Sequence, residues 1–158
     1  DNATKINAIF SSFLNLTEKH KISLVLPLHP RTLKMKEALL DKVIQEKLDQ
    51  SPYIKIIPPV SFLHMIALEK KSTLIITDSG GVQKEAYFFQ KPCVILRPQT
   101  EWVEITRAKC ATIVDTDQDK ILNAVDHFMK AENLNFPPVF GDGKAAEFIL
   151  EEMLNQFG

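Results

Sequence analysis

The chain has 158 residues, a length that suits one domain, and its 45% apolar and 25% charged residues are ordinary for a globular protein. Its formal net charge is −1, from 19 bases against 20 acids, and it lacks the strongly basic balance of a nucleic-acid partner. No apolar run reaches the ~18 residues of a membrane span, so neither nucleic acid nor membrane is an expected partner.

Residues 3–19 place apolar side chains at 6, 9, 10, 13, 14 and 16, close to helical period. The short β-rich run 22–28 predicts a buried strand, closed by His29-Pro30-Arg31. A single helix is expected over 32–49, from apolar positions 35, 39, 40, 43, 44 and 48. A strand at 53–57 ends in Pro58-Pro59, and 61–68 reads as a short helix. Then come a strand at 73–77, a helix at 79–89, a strand at 93–96, a short helix near 102–108 and a strand at 111–114. Asp117 is a natural N-cap for a helix over 118–131, and a Pro-rich link at 136–138 leads to a last helix at 144–156.

The strands are near-continuous apolar runs that alternate with helices. That pattern predicts one α/β domain over 1–158, a parallel sheet with helices on both faces. In open sheets of this kind ligands gather at the carboxyl ends of the strands, which singles out the loops 29–31, 58–62, 77–82 and 97–101. Cys93 and Cys110 form no metal or disulfide spacing and read as buried, reduced thiols of a cytosolic protein. The chain begins at Asp1-Asn2 without a methionine and is read as a piece of a longer protein.

The richest local signal is Asp78-Ser79-Gly80-Gly81-Val82-Gln83-Lys84-Glu85-Ala86, where a strand runs into a helix. Adjacent glycines let a backbone approach a ligand, and the helix start offers unpaired N–H groups suited to a phosphate or diphosphate. Glu85 lies about one turn in. Repelled by a diphosphate, it would accept hydrogen bonds from neutral groups such as ribose hydroxyls. The same residues also fit a plain tight turn with a serine or aspartate cap. His29 and Arg31 at a strand end suit either an anion or a solvated turn. In Arg97-Pro98-Gln99-Thr100-Glu101-Trp102-Val103-Glu104, Thr100 is the expected helix cap, with Glu101 and Glu104 favouring the first turn. Phe62, Leu63 and Met65 form either an apolar wall for a flat base or part of the core.

Taken in order, His29-Pro30, the Asp78 to Ala86 string, Arg97 and Thr100-Glu101 resemble the non-hydrolysing UDP-N-acetylglucosamine 2-epimerases. The likeness covers essentially the whole chain and includes Gly141-Asp142-Gly143 before the last helix. It implies a Rossmann-like domain, the C-terminal half of a two-domain enzyme of glycosyltransferase-B type. It implies that Ser79, Gly80 and Gly81 hold a diphosphate, Glu85 the ribose hydroxyls and Met65 the uracil side. His29 falls where some members contact a regulatory sugar nucleotide. The resemblance also implies a UDP-sugar substrate, no metal or redox cofactor, and a cytoplasmic homodimer serving cell-surface polysaccharide synthesis. The catalytic acids lie in the N-terminal half, so none of the catalytic residues is expected in this chain.

Two departures stand out. Trp102 replaces an arginine that would face the nucleotide, which leaves Arg97 to carry that charge, and Lys84 replaces a common acid. The Trp-Val variant is associated with relatives acting on other UDP sugars, such as diacetamido uronic acids. A glycosyltransferase of the same architecture, a hydrolysing epimerase and a non-catalytic sugar-nucleotide sensor are the other readings.

Overall fold

The computed structural model describes residues 2–157. The elements run α1 (Ala3–His20), β1 (Leu24–Pro27), α2 (Pro30–Leu39), α3 (Lys42–Gln50), β2 (Ile54–Ile57), α4 (Phe62–Lys71), β3 (Ile75–Thr77), α5 (Gly80–Phe88), β4 (Cys93–Ile95), α6 (Val103–Arg107), β5 (Ala111–Ile113), α7 (Gln118–Lys130) and α8 (Ala145–Phe157). Every expected strand and helix is present, with one split and modest shifts at the ends. The α/β class and the parallel pairing agree with the alternation read from the sequence. Asp117 caps α7 as expected, its carboxylate accepting from the Lys120 N–H at 3.0 Å.

Every strand pair is parallel. β1 pairs with β2, and β3, β4 and β5 form a second ladder in that order. Among the described residues no ladder joins β1 to β3; instead a cavity of about 890 Å³ opens between them, lined by Leu24–Leu28 on one side and Leu74–Ser79 on the other. The carboxyl ends of both strands, at His29 and at Asp78-Ser79, open onto it.

Strand β4 shows why the sheet needs helices on both faces. Cys93, Val94 and Ile95 are all buried, yet Cys93 and Ile95 pack with Ala86, Tyr87 and Ile105 while Val94 packs with Leu16, Ile121 and Val125. The pleat sends alternate side chains to opposite faces, and each fully buried Val or Ile contributes roughly 1.5–3 kcal/mol. A third cluster joins α1 to β1 and α3 through Phe10, Phe13, Leu26 and Leu48. Both cysteines are free and buried; burial pushes the Cys93 thiol up to about 12, so it stays protonated. No described helix is long and apolar enough to cross a membrane. Helix α8 buries none of its side chains and leaves Phe148, Leu150, Leu154 and Phe157 exposed.

The single helix expected over 32–49 is two. Leu40 is extended (φ −75°, ψ 136°), and Asp41 caps α3 by accepting from the Val43 N–H at 2.8 Å. The apolar spacing continues through the break, which is why periodicity misses it. What stabilises the break comes from elsewhere: the Asn7 side chain on α1 accepts from the Asp41 N–H at 2.8 Å and donates to the Leu39 carbonyl at 3.3 Å. Replacing Asn7 with Ala removes both partners and is expected to lower unfolding stability by about 1 kcal/mol. Urea denaturation checks this; an unchanged midpoint would mean that the Asp41 cap alone keeps the two helices apart.

Candidate functional site

The chain leaves β3 at Thr77 and turns into α5 within two residues. The turn is tied locally, since the Ser79 N–H donates to Thr77 Oγ1 at 3.0 Å. Ser79 then caps α5, its Oγ accepting from the Val82 N–H at 3.5 Å. The serine cap of the plain-turn reading is therefore present. The N–H groups of Gly80 and Gly81 enter none of the described hydrogen bonds and stand at the positive end of the helix dipole.

The two glycines are not required by the fold. Neither has a positive φ. A Cβ on Gly81 would meet only Ser79 Oγ, at 3.8 Å, and one on Gly80 nothing nearer than Glu101 Oε2, at 3.4 Å, which is ordinary contact. The space in front of Gly81 is therefore nearly empty of protein, while Glu101, Arg97 and Trp102 border that of Gly80.

The loop after β4 packs against this turn. Arg97 and Glu101 pair fork to fork, at 3.0 and 2.7 Å, beside Gly80. The hydrogen bonds and charge of Arg97 hold the Glu101 carboxyl below its ordinary value, and Arg97 is raised in return. The Arg97 charge is thus largely met by Glu101, with Asp78 adding to it. The Trp102 indole N–H donates to the Gly80 carbonyl at 2.7 Å. Lys84 Nζ lies 4.5 Å from the Trp102 ring centroid and 4.7 Å from that of Phe140, and these two rings meet edge to face at 5.7 Å. A cation therefore stands by this turn, on α5 and not at position 102.

Thr100 does not cap α6. Its hydroxyl donates to Gln83 Oε1 at 2.5 Å and accepts from the Trp102 N–H at 3.1 Å. The helix starts after Trp102 with no side-chain cap, so Glu101 precedes it and Glu104 alone is the first-turn acid. The fully buried Gln83 draws Thr100 away, a pull across 17 residues that local capping rules do not see.

His29 caps α2, its Nδ1 accepting from the Arg31 N–H at 3.2 Å. It lines the β1–β3 cavity together with Met65, Asp78 and Ser79. Phe62 and Leu63 are 66% and 74% exposed, so the core reading fails for them, while half-buried Met65 faces the cavity. The cavity thus brings together Ser79, His29 and Met65; Arg97, Thr100 and Glu101 reach the same turn from its other side, through Gly80 and Gln83. Glu85 is partly buried on α5 and faces Glu69.

Glu69 is the cavity residue that pattern reading passes over. It is 4% exposed, and its carboxyl is pushed up to about 7, first by burial and then by the charge of Glu85. A lone acid near the end of an amphipathic helix carries no sign of burial in the sequence. Among the described residues no group of three or more His, Cys, Asp or Glu side chains is placed to hold a metal ion.

These features define a parallel α/β domain with a serine-capped, glycine-bearing helix start at the carboxyl edge of its sheet. A family model described as UDP-N-acetylglucosamine 2-epimerase matches residues 1–154, and the chain belongs to that family. It is 37% identical over 150 residues to a UDP-N-acetylglucosamine 2-epimerase of Methanococcus maripaludis, covering 95% of this chain and 40% of the relative. It is 36% identical over 151 residues to the UDP-2,3-diacetamido-2,3-dideoxy-D-glucuronate 2-epimerase of Pseudomonas aeruginosa, covering 96% of this chain and 40% of that one. The crystal structure of Methanocaldococcus jannaschii UDP-GlcNAc 2-epimerase in complex with UDP-GlcNAc and UDP superposes with a TM-score of 0.83 at 33% identity, over 98% of this chain and 42% of that chain. The chain therefore spans about two-fifths of the length of the proteins it matches.

Glycine in a helix costs up to about 1 kcal/mol against alanine, and nothing in this fold repays it at position 81. Gly81→Ala is expected to leave the fold intact and raise the melting temperature slightly. Differential scanning calorimetry checks this; a lowered melting temperature would show that the fold does need the glycine.

Proposed function

We propose that this chain is the nucleotide-binding, C-terminal domain of a UDP-sugar 2-epimerase that interconverts UDP-N-acetylglucosamine and UDP-N-acetylmannosamine. The observation that carries the reading is the pair of glycines at the start of α5, at no position where the backbone demands glycine, with N–H groups that enter none of the described hydrogen bonds. Family membership and a relative solved with UDP-GlcNAc and UDP support it.

In this reading Gly80 and Gly81 donate their N–H groups to the diphosphate, and Ser79 adds its hydroxyl. Glu85 accepts from the ribose hydroxyls, Met65 lies along the uracil, and His29 borders the sugar-nucleotide cavity. Arg97, held by Glu101, and Thr100, held by Gln83, brace the turn. Lys84, stacked on Trp102, supplies a positive charge beside the turn where the family arginine is absent.

The reaction removes the proton from sugar C2 while the C1–O bond breaks, so UDP departs with that electron pair and a C1–C2 double bond remains. Returning a proton to the opposite face of C2 and the UDP oxygen to C1 completes the inversion. The base and acid that handle the C2 proton belong to the other half of the enzyme. The work of this domain is to stabilise departing UDP with dipoles already in place. The domain alone binds UDP without turnover, and the full-length enzyme acts as a homodimer.

A second sugar deserves the same test. Trp102-Val103 stands where the family pattern has arginine, and a diacetamido-glucuronate 2-epimerase is among the relatives. The full-length enzyme, incubated in deuterated water with each UDP sugar in turn, should incorporate deuterium at C2 of its own substrate and yield the epimer, both visible by proton NMR. No exchange with either sugar, from protein that binds UDP, would redirect the reading to a glycosyltransferase. Gly81→Ala, though folded, is expected to weaken UDP binding at least tenfold by isothermal calorimetry, about 1.4 kcal/mol for a methyl placed against the diphosphate. Unchanged affinity would remove the diphosphate from this turn.

A further inference from the structure

Glu69 sits on α4 in the wall of the cavity between β1 and β3, and neither of its carboxyl oxygens has a hydrogen-bond partner. A bare carboxylate so buried is costly, and a buried acid meets that cost by keeping its proton. The group it faces is the carboxyl of Glu85, across the packed pair α4 and α5. Two carboxylates are both acceptors, so they bond only when one of them is protonated. Glu69 is the more buried of the two, which places the proton on it and leaves Glu85 the anion.

We propose that Glu69 is a positioning residue for the nucleotide site: its protonated carboxyl donates to Glu85 and holds that carboxylate charged and aimed at the two hydroxyls of a bound ribose. The inference rests on the role given to Glu85 above. The other charged or titratable groups on the cavity are His29, Arg31, Lys71 and Asp78, while Lys70 lies over the Phe89 ring and Lys84 over Trp102. The charge that acts on Glu69 is that of Glu85. When pH rises far enough to strip the shared proton, Glu69 becomes a second anion against Glu85, and the ribose loses its oriented acceptor.

The test is a calorimetric titration of the protein and its Glu69→Gln variant with UDP and with 2′,3′-dideoxy-UDP. The analogue keeps the diphosphate, including its own titration near neutral pH, and lacks both hydroxyls. The preference of the native protein for UDP over the analogue is expected to fall about tenfold between about pH 6 and about pH 8. Glu69→Gln, whose amide donates at every pH, is expected to keep its preference constant. The same pH profile in both proteins would overturn the proposal. So would a Glu69 carboxyl carbon that titrates in the ordinary carboxylate range by NMR of the native protein, a measurement that needs no variant to fold. If UDP binds the native protein at no pH, the nucleotide reading itself fails and takes this inference with it; binding with a flat preference sinks the inference alone.

Discussion

The arrangement depends on how helix α5 is seated. Gln83, Ala86 and Tyr87 form its inner face, at 0%, 0% and 5% exposure, and they lock its rotation against β3 and β4. With that face fixed, the first turn, carrying Gly80 and Gly81, emerges at the carboxyl end of β3. Two ties from the loop after β4 then hold the turn: Thr100 to Gln83 and the Trp102 indole to the Gly80 carbonyl. Each neutral hydrogen bond is worth about 1 kcal/mol, small beside the burial beneath, so packing sets the position and the bonds set the aim.

The same helix gathers the polar groups that the fold leaves short of partners. Among the described residues the buried side-chain atoms without a hydrogen bond are both oxygens of Glu69 and Nε2 of Gln83. Folded proteins tolerate few such atoms, because each costs roughly 1–3 kcal/mol when unmet. Glu69 lines the same cavity as Ser79, and Gln83 lies on α5 one turn beyond the two glycines. Local rules are broken together here, while β4 and its neighbours obey them, which is where a functional constraint is expected.

Aromatic side chains brace this region from outside. Phe136, which opens the Pro-rich link, and Phe140, just after it, pack on Tyr87 edge to face, both at 5.5 Å, and Phe140 also meets Trp102 and Lys84. The Tyr87 hydroxyl donates to the Pro137 carbonyl, which fastens the link itself. Trp102 therefore does structural work at the edge of this turn. It is a rigid plane that carries Lys84 and binds the backbone of Gly80.

Much of this was legible in the sequence. Continuous apolar runs between periodic segments determined the α/β class and the elements, since burying such runs requires helices on both faces, and Ser79-Gly80-Gly81 at a strand-to-helix junction determined where to search. Three things were decided only by the tertiary structure. Asn7, from another helix, stabilises the break at Leu40-Asp41 that periodicity runs through. Buried Gln83 takes the Thr100 hydroxyl away from a local cap. Glu69 and Glu85, 16 positions apart in the chain, become neighbours only when α4 packs on α5. Local spacing reports which way a side chain leaves its own helix or strand, but not which group from elsewhere meets it there. Hydrogen-bond partners and shared protons are set by that meeting.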